Sequence, residues 1–373
     1  MKTSHSTSLP LYELPLWESM RRKKAVFTFD LELTARCNNN CRHCYINLPA
    51  DDGAAMEREL TLSEIDRIAG QAVSSGALWC LITGGEPLLR IDFLDVYLIL
   101  KKKGLLVSVF TNAAQVTPEH VEVFKKYPPQ HIEVTVYGIT PPTYERVTRK
   151  PGSYASFMNG LGLLLDGGIK VRLKAMAIRS NVHEMPAIAE FCRKRSKGRY
   201  RYDPMLHLRY DRDESRNREI EAERLSPAEI VALERADPER FEALKEGCDI
   251  LIRPEFEGFR CHHLFHCSTG KSSFTVSPDG HYRPCASLWH PQCVYDLRKG
   301  SLSDAIKNVV PNVRKMKSER KEFLENCHVC PFINLCLWCP AHAYLECGEL
   351  DRPVGFFCEV AHARASGVER GGR

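Results

Sequence analysis

The feature that most limits the fold is an alternation. From Ala25 to about Leu206, short apolar or period-two segments recur, each followed by a helical pattern or a short connection. FTFDLELT puts Phe27, Phe29, Leu31 and Leu33 on one side of a half-buried strand. Thr61 with Glu64 three residues later predicts a capping box ahead of Ile65, Ile68, Ala69 and Ala72 at helical spacing, in a helix closing at Gly76. ALWCLI reads as the next strand. A helix over 91–103, the strand LLVSVF, a helix opened by Thr117 and Pro118, and the strand HIEVTV follow. A helix over 153–165, the strand IKVRLKAMAI, a helix over 183–195 and a strand near 200–206 complete the series. Six strands connected in this way predict a parallel sheet with right-handed crossovers, an α/β fold that we read as an open (β/α)6 barrel.

The unusual segments all follow strands: cysteines after the first, TGGEP after the second, TNA after the third, YG after the fourth and RSN after the fifth. In parallel βα folds the loops and helix N-termini converge at that rim, which is therefore the predicted active site. The expected organisation is an N-terminal extension at 1–24, the barrel at 25–207, a charged bridge at 208–260 with one helix opened by Ser226 and Pro227, and a small cysteine-rich unit at 261–373. The last unit shows little apolar core of its own, so metals or disulfides are expected to hold it.

A content of 43% hydrophobic and 27% charged residues excludes a largely disordered chain. The net charge of +5, from 52 basic and 47 acidic residues, is small and gives no footprint for nucleic acid. Glu13 and Glu18 interrupt the first twenty residues, and Lys101, Lys102 and Lys103 split the most apolar stretch, so neither an export signal nor a membrane span is expected. Of 16 cysteines, three lie between Cys37 and Cys44 and ten between Cys261 and Cys358. Without an export signal such clusters point to metal ligands in a reducing cytoplasm rather than to disulfides.

CNNNCRHC sets Cys37, Cys41 and Cys44 at C-x3-C-x2-C spacing just after a strand. Three thiolates are one short of a closed zinc site, which His43 could complete, and one short of a fully ligated cluster. The alternative is a [4Fe-4S] cluster with one iron left open for a ligand. The loop CNNNCRHCY together with TGGEP resembles the radical S-adenosylmethionine superfamily, over Phe27 to about Leu206. That resemblance implies S-adenosylmethionine chelated on the open iron and cleaved by one electron to methionine and a 5′-deoxyadenosyl radical, which abstracts hydrogen from a substrate. It implies that Gly84, Gly85, Glu86 and Pro87 border the methionine amino group, that Tyr45 packs near the adenine, and that Asn112, Thr135 and Lys174 contact ribose and carboxylate. As ordinary strand residues, these last three would simply face the barrel interior.

The C-terminal run reads C-x5-C-x17-C from Cys261 to Cys285, then C-x2-C-x5-C-x2-C from Cys327 to Cys339, then Cys358. Zinc fits the CHVC and CLWC pairs only superficially, because five residues between them are too few for two knuckles. The order resembles the SPASM extension of the same superfamily, which carries two auxiliary [4Fe-4S] clusters. The resemblance implies Cys261, Cys267, Cys285 and Cys339 for the first and Cys327, Cys330, Cys336 and Cys358 for the second. Leu337 and Trp338 make the last spacing one residue shorter than the family's, which leaves Cys347 as an alternative to Cys339. Cys80 reads as a small buried hydrophobe. The basic run Arg193, Lys194, Arg195, Lys197, Arg199 and Arg201 reads as a solvated helix end, or as a dock for an acidic peptide.

By this resemblance the leading expectation is an enzyme that matures a ribosomal peptide, with cofactor biosynthesis (a quinone or modified haem) second and a non-catalytic iron-sulfur or zinc protein a distant third. The partners it implies are a peptide or protein substrate and an electron donor such as flavodoxin or ferredoxin. About 25 residues before the first strand are too few for the recognition domain of many peptide-maturing relatives, so a separate small recognition protein is expected. Ala286 directly after Cys285 disfavours sulfatase maturation, where the family has an aspartate. Tyr137 and Asp203, at strand ends on the rim, are the candidate catalytic residues.

Overall fold

Alternation becomes strands where both faces of the segment find cover. In the computed structural model, β1 is Thr28–Glu32, and two short strands, β2 (Arg36–Cys37) and β3 (Leu48–Pro49), pair in parallel around the first cysteine loop. The barrel continues with β4 (Trp79–Thr83), β5 (Leu106–Thr111), β6 (His131–Val136), β7 (Val171–Met176) and β8 (Arg201–Asp203). All neighbours from β1 through β4 to β8 pair in parallel, and among the described residues no pairing joins the two ends of the sheet. Described are residues 26–196, 200–253, 258 and 261–369; the expected extension at 1–24, and Lys197 and Arg199 of the basic run, lie outside them.

The capping box of Thr61 and Glu64 forms as expected, and the helix Leu62–Ser74 buries Ile65, Ile68, Ala69 and Ala72. Helices Phe93–Lys102, Pro118–Lys126, Ser153–Asp166 and Met185–Arg195 fill the other crossovers. A further helix, Pro141–Thr148, follows β6 where Pro141 and Pro142 read as loop. Both prolines sit in its first turn, where no backbone N–H is needed. The charged bridge holds three helices rather than one: Glu214–Glu223, Pro227–Ala236 and Pro238–Leu251. Their charge hid them, since Asp213 and Asp237 act as N-caps and few apolar residues mark a periodicity.

The cysteine-rich region does not stand apart. Its strand β9 (Ser273–Val276) pairs in parallel with the free edge of β1, and β10 (His281–Arg283) and β11 (Tyr295–Asp296) extend the sheet antiparallel. Phe274 stacks on Phe29 with centroids 5.3 Å apart, so the region shares the barrel's core instead of lacking one. Among the described residues no helix is long and apolar enough to cross a membrane.

Candidate active site

The cysteine loop leaves β1 at the rim and turns inward. Cys37 and Cys44 are half-buried and Cys41 is buried, and all three line one cavity of about 260 Å³. Burial pushes the thiols of Cys37 and Cys41 well up, with Glu86 and Cys44 adding to it at Cys37 and Cys44 and Cys37 adding to it at Cys41. Tyr137 donates a hydrogen bond to the Cys41 thiol. Desolvated, mutually repelling thiols are a costly arrangement without a cation among them. Soft thiolates that close together suit an iron-sulfur cluster. Three further buried atoms on this wall, Asn39 Oδ1, His43 Nδ1 and His207 Nδ1, have no hydrogen-bond partner among the described residues. Orphaned polar atoms of this kind fit a ligand bearing its own donors and acceptors, as S-adenosylmethionine does.

The glycine pair comes close to the loop for a steric reason. Gly84 has φ +135°, and a Cβ there would lie 2.3 Å from the Thr34 carbonyl oxygen, while one on Gly85 would lie 2.2 Å from that of Arg36. Only glycine lets this turn lie against β1 and its outgoing loop. Both glycines line the cavity; Glu86 and Pro87 do not. Glu86 is fully buried behind the wall, where Oε1 accepts from Thr111 Oγ1 (2.7 Å) and Leu88 N (3.1 Å) and Oε2 accepts from Asn112 N (2.7 Å). Burial raises its pKa to about 7 against these hydrogen bonds. There it buttresses the Thr111–Asn112 turn, and after burial it is the neighbour that most raises the Cys37 thiol.

Asn112, Thr135, Lys174, Tyr137, Asp203 and Tyr45 all line the cavity. Asn112 Nδ2 donates to Asn38 Oδ1 at 2.8 Å, tying the turn after β5 to the cysteine loop. Lys174 is already engaged: its Nζ lies 2.8 Å from Glu133 and over the Phe110 ring at 3.5 Å. Asp203 is exposed at the mouth, and its Oδ1 accepts from Met205 N at 2.8 Å. The Tyr45 hydroxyl is held well up by burial, with Glu32 and the cysteine sulfur of Cys44 adding to it. Two histidines were missed as cavity residues. The His43 ring lies 5.4 Å from that of Tyr137, and burial lowers its pKa to about 4; the only sequence signal was its place between two cysteines, which read as zinc. His207, after the last barrel strand, carried no signal beyond its position at the rim.

Several of the later cysteines have other cysteines for neighbours. Burial raises the Cys285 thiol, and the next causes include Cys339 and Cys267, whereas Cys347 has Arg352, Glu346, Glu322 and Arg212 for neighbours and no cysteine. Cys261 is exposed, with His263 Nδ1 2.9 Å from its sulfur. Cys327, Cys330, Cys336 and Cys358 line one cavity of about 590 Å³. There burial, joined by the other three sulfurs, pushes Cys336 up to about 12, and burial with Cys358 and Cys330 pushes Cys327 to about 11. The loop of Cys285 is anchored to the barrel by Arg283, which is fully buried, pairs with buried Glu32 of β1, bonds the Ala286 carbonyl and packs over the Trp289 ring at 3.5 Å.

Residues 31–192 match the profile of the radical SAM superfamily. An AdoMet-dependent heme synthase of Methanosarcina barkeri (strain Fusaro / DSM 804) is 24% identical over 338 residues, covering 85% of this chain and 92% of that protein. The antilisterial bacteriocin subtilosin biosynthesis protein AlbA of Bacillus subtilis (strain 168) is 25% identical over 313 residues, covering 83% of this chain and 66% of that protein. Streptococcus suis SuiB bound to S-adenosylmethionine has the same fold, with a TM-score of 0.65 at 13% identity over 95% of this chain and 83% of that one. Bound to its precursor peptide SuiA, SuiB matches with a TM-score of 0.64 at 14% identity, over 94% and 82%. The chain therefore carries a radical SAM domain over residues 31–192, on a fold shared with SuiB.

Proposed function

We propose that this enzyme cleaves S-adenosylmethionine reductively and abstracts a hydrogen atom from a peptide or protein, as a maturase of ribosomal peptides. The observation that carries the peptide reading is the likeness over 83% of this chain to AlbA, a bacteriocin biosynthesis protein. SuiB, with its precursor peptide bound, supports it through the shared fold. When bound on Cys37, Cys41 and Cys44, a [4Fe-4S] cluster would supply the electron that splits the sulfonium. The chain's own residues then bind and orient. Gly84 and Gly85 admit the cofactor's backbone-sized end, His43 offers a ring face and an acceptor, and Asn112 and Thr135 stand at hydrogen-bonding positions on the wall. Lys174 keeps a cation near the cavity through Glu133. Tyr137 orients the Cys41 thiol, and Asp203 at the mouth is placed to take a substrate proton.

Two auxiliary clusters complete this reading, on Cys261, Cys267, Cys285 and Cys339 and on Cys327, Cys330, Cys336 and Cys358. So do a flavodoxin- or ferredoxin-like electron donor and a separate small recognition protein. A second reading, modification of an iron porphyrin, is favoured by the likeness to the heme synthase over 92% of that protein's length.

Anaerobic reconstitution tests the proposal. About twelve iron atoms per chain are expected, with about eight left when Cys37, Cys41 and Cys44 are all replaced by Ala. Release of 5′-deoxyadenosine should vanish in that triple variant. A count of about four in well-loaded protein removes the auxiliary clusters. A short peptide encoded beside the gene and an iron porphyrin, offered in turn, separate the substrate readings by which one changes mass. Asp203→Asn should then stop product formation while 5′-deoxyadenosine release continues.

A further inference from the structure

We propose that the stacked pair His207–His342 couples the cofactor cavity to the first auxiliary site, so that filling the cavity shifts the reduction potential at Cys339. This inference rests on the reading that Cys261, Cys267, Cys285 and Cys339 hold a cluster.

The chain of contacts begins in the cavity. His207 lines it, and its Nδ1 is buried without a partner among the described residues. Burial, His342 and Arg224 hold its pKa down to about 3, so the ring is neutral and Nδ1 can accept or donate according to its tautomer. A ligand that fills the cavity satisfies this atom or meets an unsatisfied one, and either outcome changes the position the ring prefers.

The second link is the ring stack. His207 and His342 have centroids 4.1 Å apart at 31°, and His342 also meets the Phe357 ring at 5.4 Å and 27°. A ring packed against two others in a close-packed interior passes a displacement on to its neighbours.

The third link is the sulfur. The backbone N–H of His342 donates to Cys339 Sγ at 3.5 Å, in the first turn of the helix Pro340–Cys347 for which Cys339 is the N-cap. His342 Nδ1 is fixed to the Leu337 carbonyl at 3.0 Å, on the same short loop. Hydrogen bonds to ligand sulfurs are among the levers that set an iron-sulfur potential. Linkage makes the coupling reciprocal: the factor by which cavity binding favours one oxidation state is the factor by which that state favours binding.

The test is a potentiometric titration, followed by electron paramagnetic resonance, of the fully reconstituted protein with and without saturating S-adenosylmethionine. The variants are His207→Phe, His207→Gln and His342→Phe, each first checked for full iron content and an unchanged melting temperature. In wild-type protein one auxiliary midpoint should move by about 59 mV, a tenfold coupling for a one-electron couple. The cluster on Cys327, Cys330, Cys336 and Cys358 should not move. The shift should be lost in His207→Gln and in both Phe variants. A wild-type protein with no shift, a shift that survives in any of the three variants, or an equal shift at both auxiliary clusters overturns the coupling. A protein lacking auxiliary iron fails earlier, at the iron count, and overturns the proposed function together with this inference.

Discussion

The barrel and the cysteine-rich region hold themselves together by different means. In the barrel, Phe29, Ile82, Val107, Val134 and Leu164 are wholly buried, and long crossover helices cover the sheet. Beyond Cys261 regular structure is sparser, and Cys261, Cys267 and Cys358 are exposed. Yet three short strands of that region lie in the barrel's own sheet, and Arg283 plants a guanidinium in its interior. The difference teaches that the C-terminal region is in two parts: strands that belong to the barrel's sheet, and loops that carry the cysteines.

The largest expected effect separates those parts. Stripping iron with a chelator should raise the proteolysis rate in the segment 317–339 by tenfold or more while β1 to β8 resist, because metal binding is folding energy where a core is lacking. Equal cleavage of barrel and loops, read by mass spectrometry of the fragments, would break the comparison. Next, Phe274→Ala should lower stability by about 3–5 kcal/mol in denaturant unfolding, as for a core residue of the barrel. A loss under about 1 kcal/mol would mean that β9 only rests on the edge.

A pH experiment sharpens the barrel side. Glu86 has a folded pKa raised to about 7 from 4.5 by burial, so its contribution is fully present below the unfolded value and is lost as pH rises through about 7. Glu86→Gln should therefore flatten the fall in stability between about pH 5 and 8, by an amount on the order of 3 kcal/mol. Parallel unfolding profiles for wild type and variant would show that Glu86 stays ionised. The smallest effects should be the same on both sides. Thr61→Ala and Ser301→Ala each break a capping box, and each should cost about 1 kcal/mol by denaturant midpoint. A cap that matters in the barrel but not beyond Cys261 would show that the later helix Leu302–Lys315 is held mainly by its surroundings.

What could be read from residues alone follows the same division. Period-two and helical spacing revealed the barrel because a buried strand or an amphipathic helix must repeat, as Phe27 to Leu33 and Ile65 to Ala72 do. Of the bridge's helices the one opened by Ser226 and Pro227 was legible, whereas Pro238–Leu251 escaped because it buries only Cys248. The spacing of Cys37, Cys41 and Cys44 marked the loop that the structure folds into the cavity. Spacing could not show what holds the Glu86 carboxylate, since its partners Thr111 and Asn112 lie more than twenty residues later. His207 and His342 met across a gap in sequence that no local pattern encodes.

The parallel pairing of β9 with β1 also sets a timetable for synthesis. Thr28 and its partner Ser273 are separated by 245 residues, as are Asp30 and Thr275. At roughly 5–20 residues per second β1 waits on the order of ten to fifty seconds for the strand that covers its outer edge. During that interval the N–H and C=O groups on the outer side of β1 are open to any extended chain nearby. A ribosome-bound fragment ending before Ser273 is thus the form of this protein most exposed to aggregation and to chaperone capture, and the last hundred residues act on the first strand as its shield.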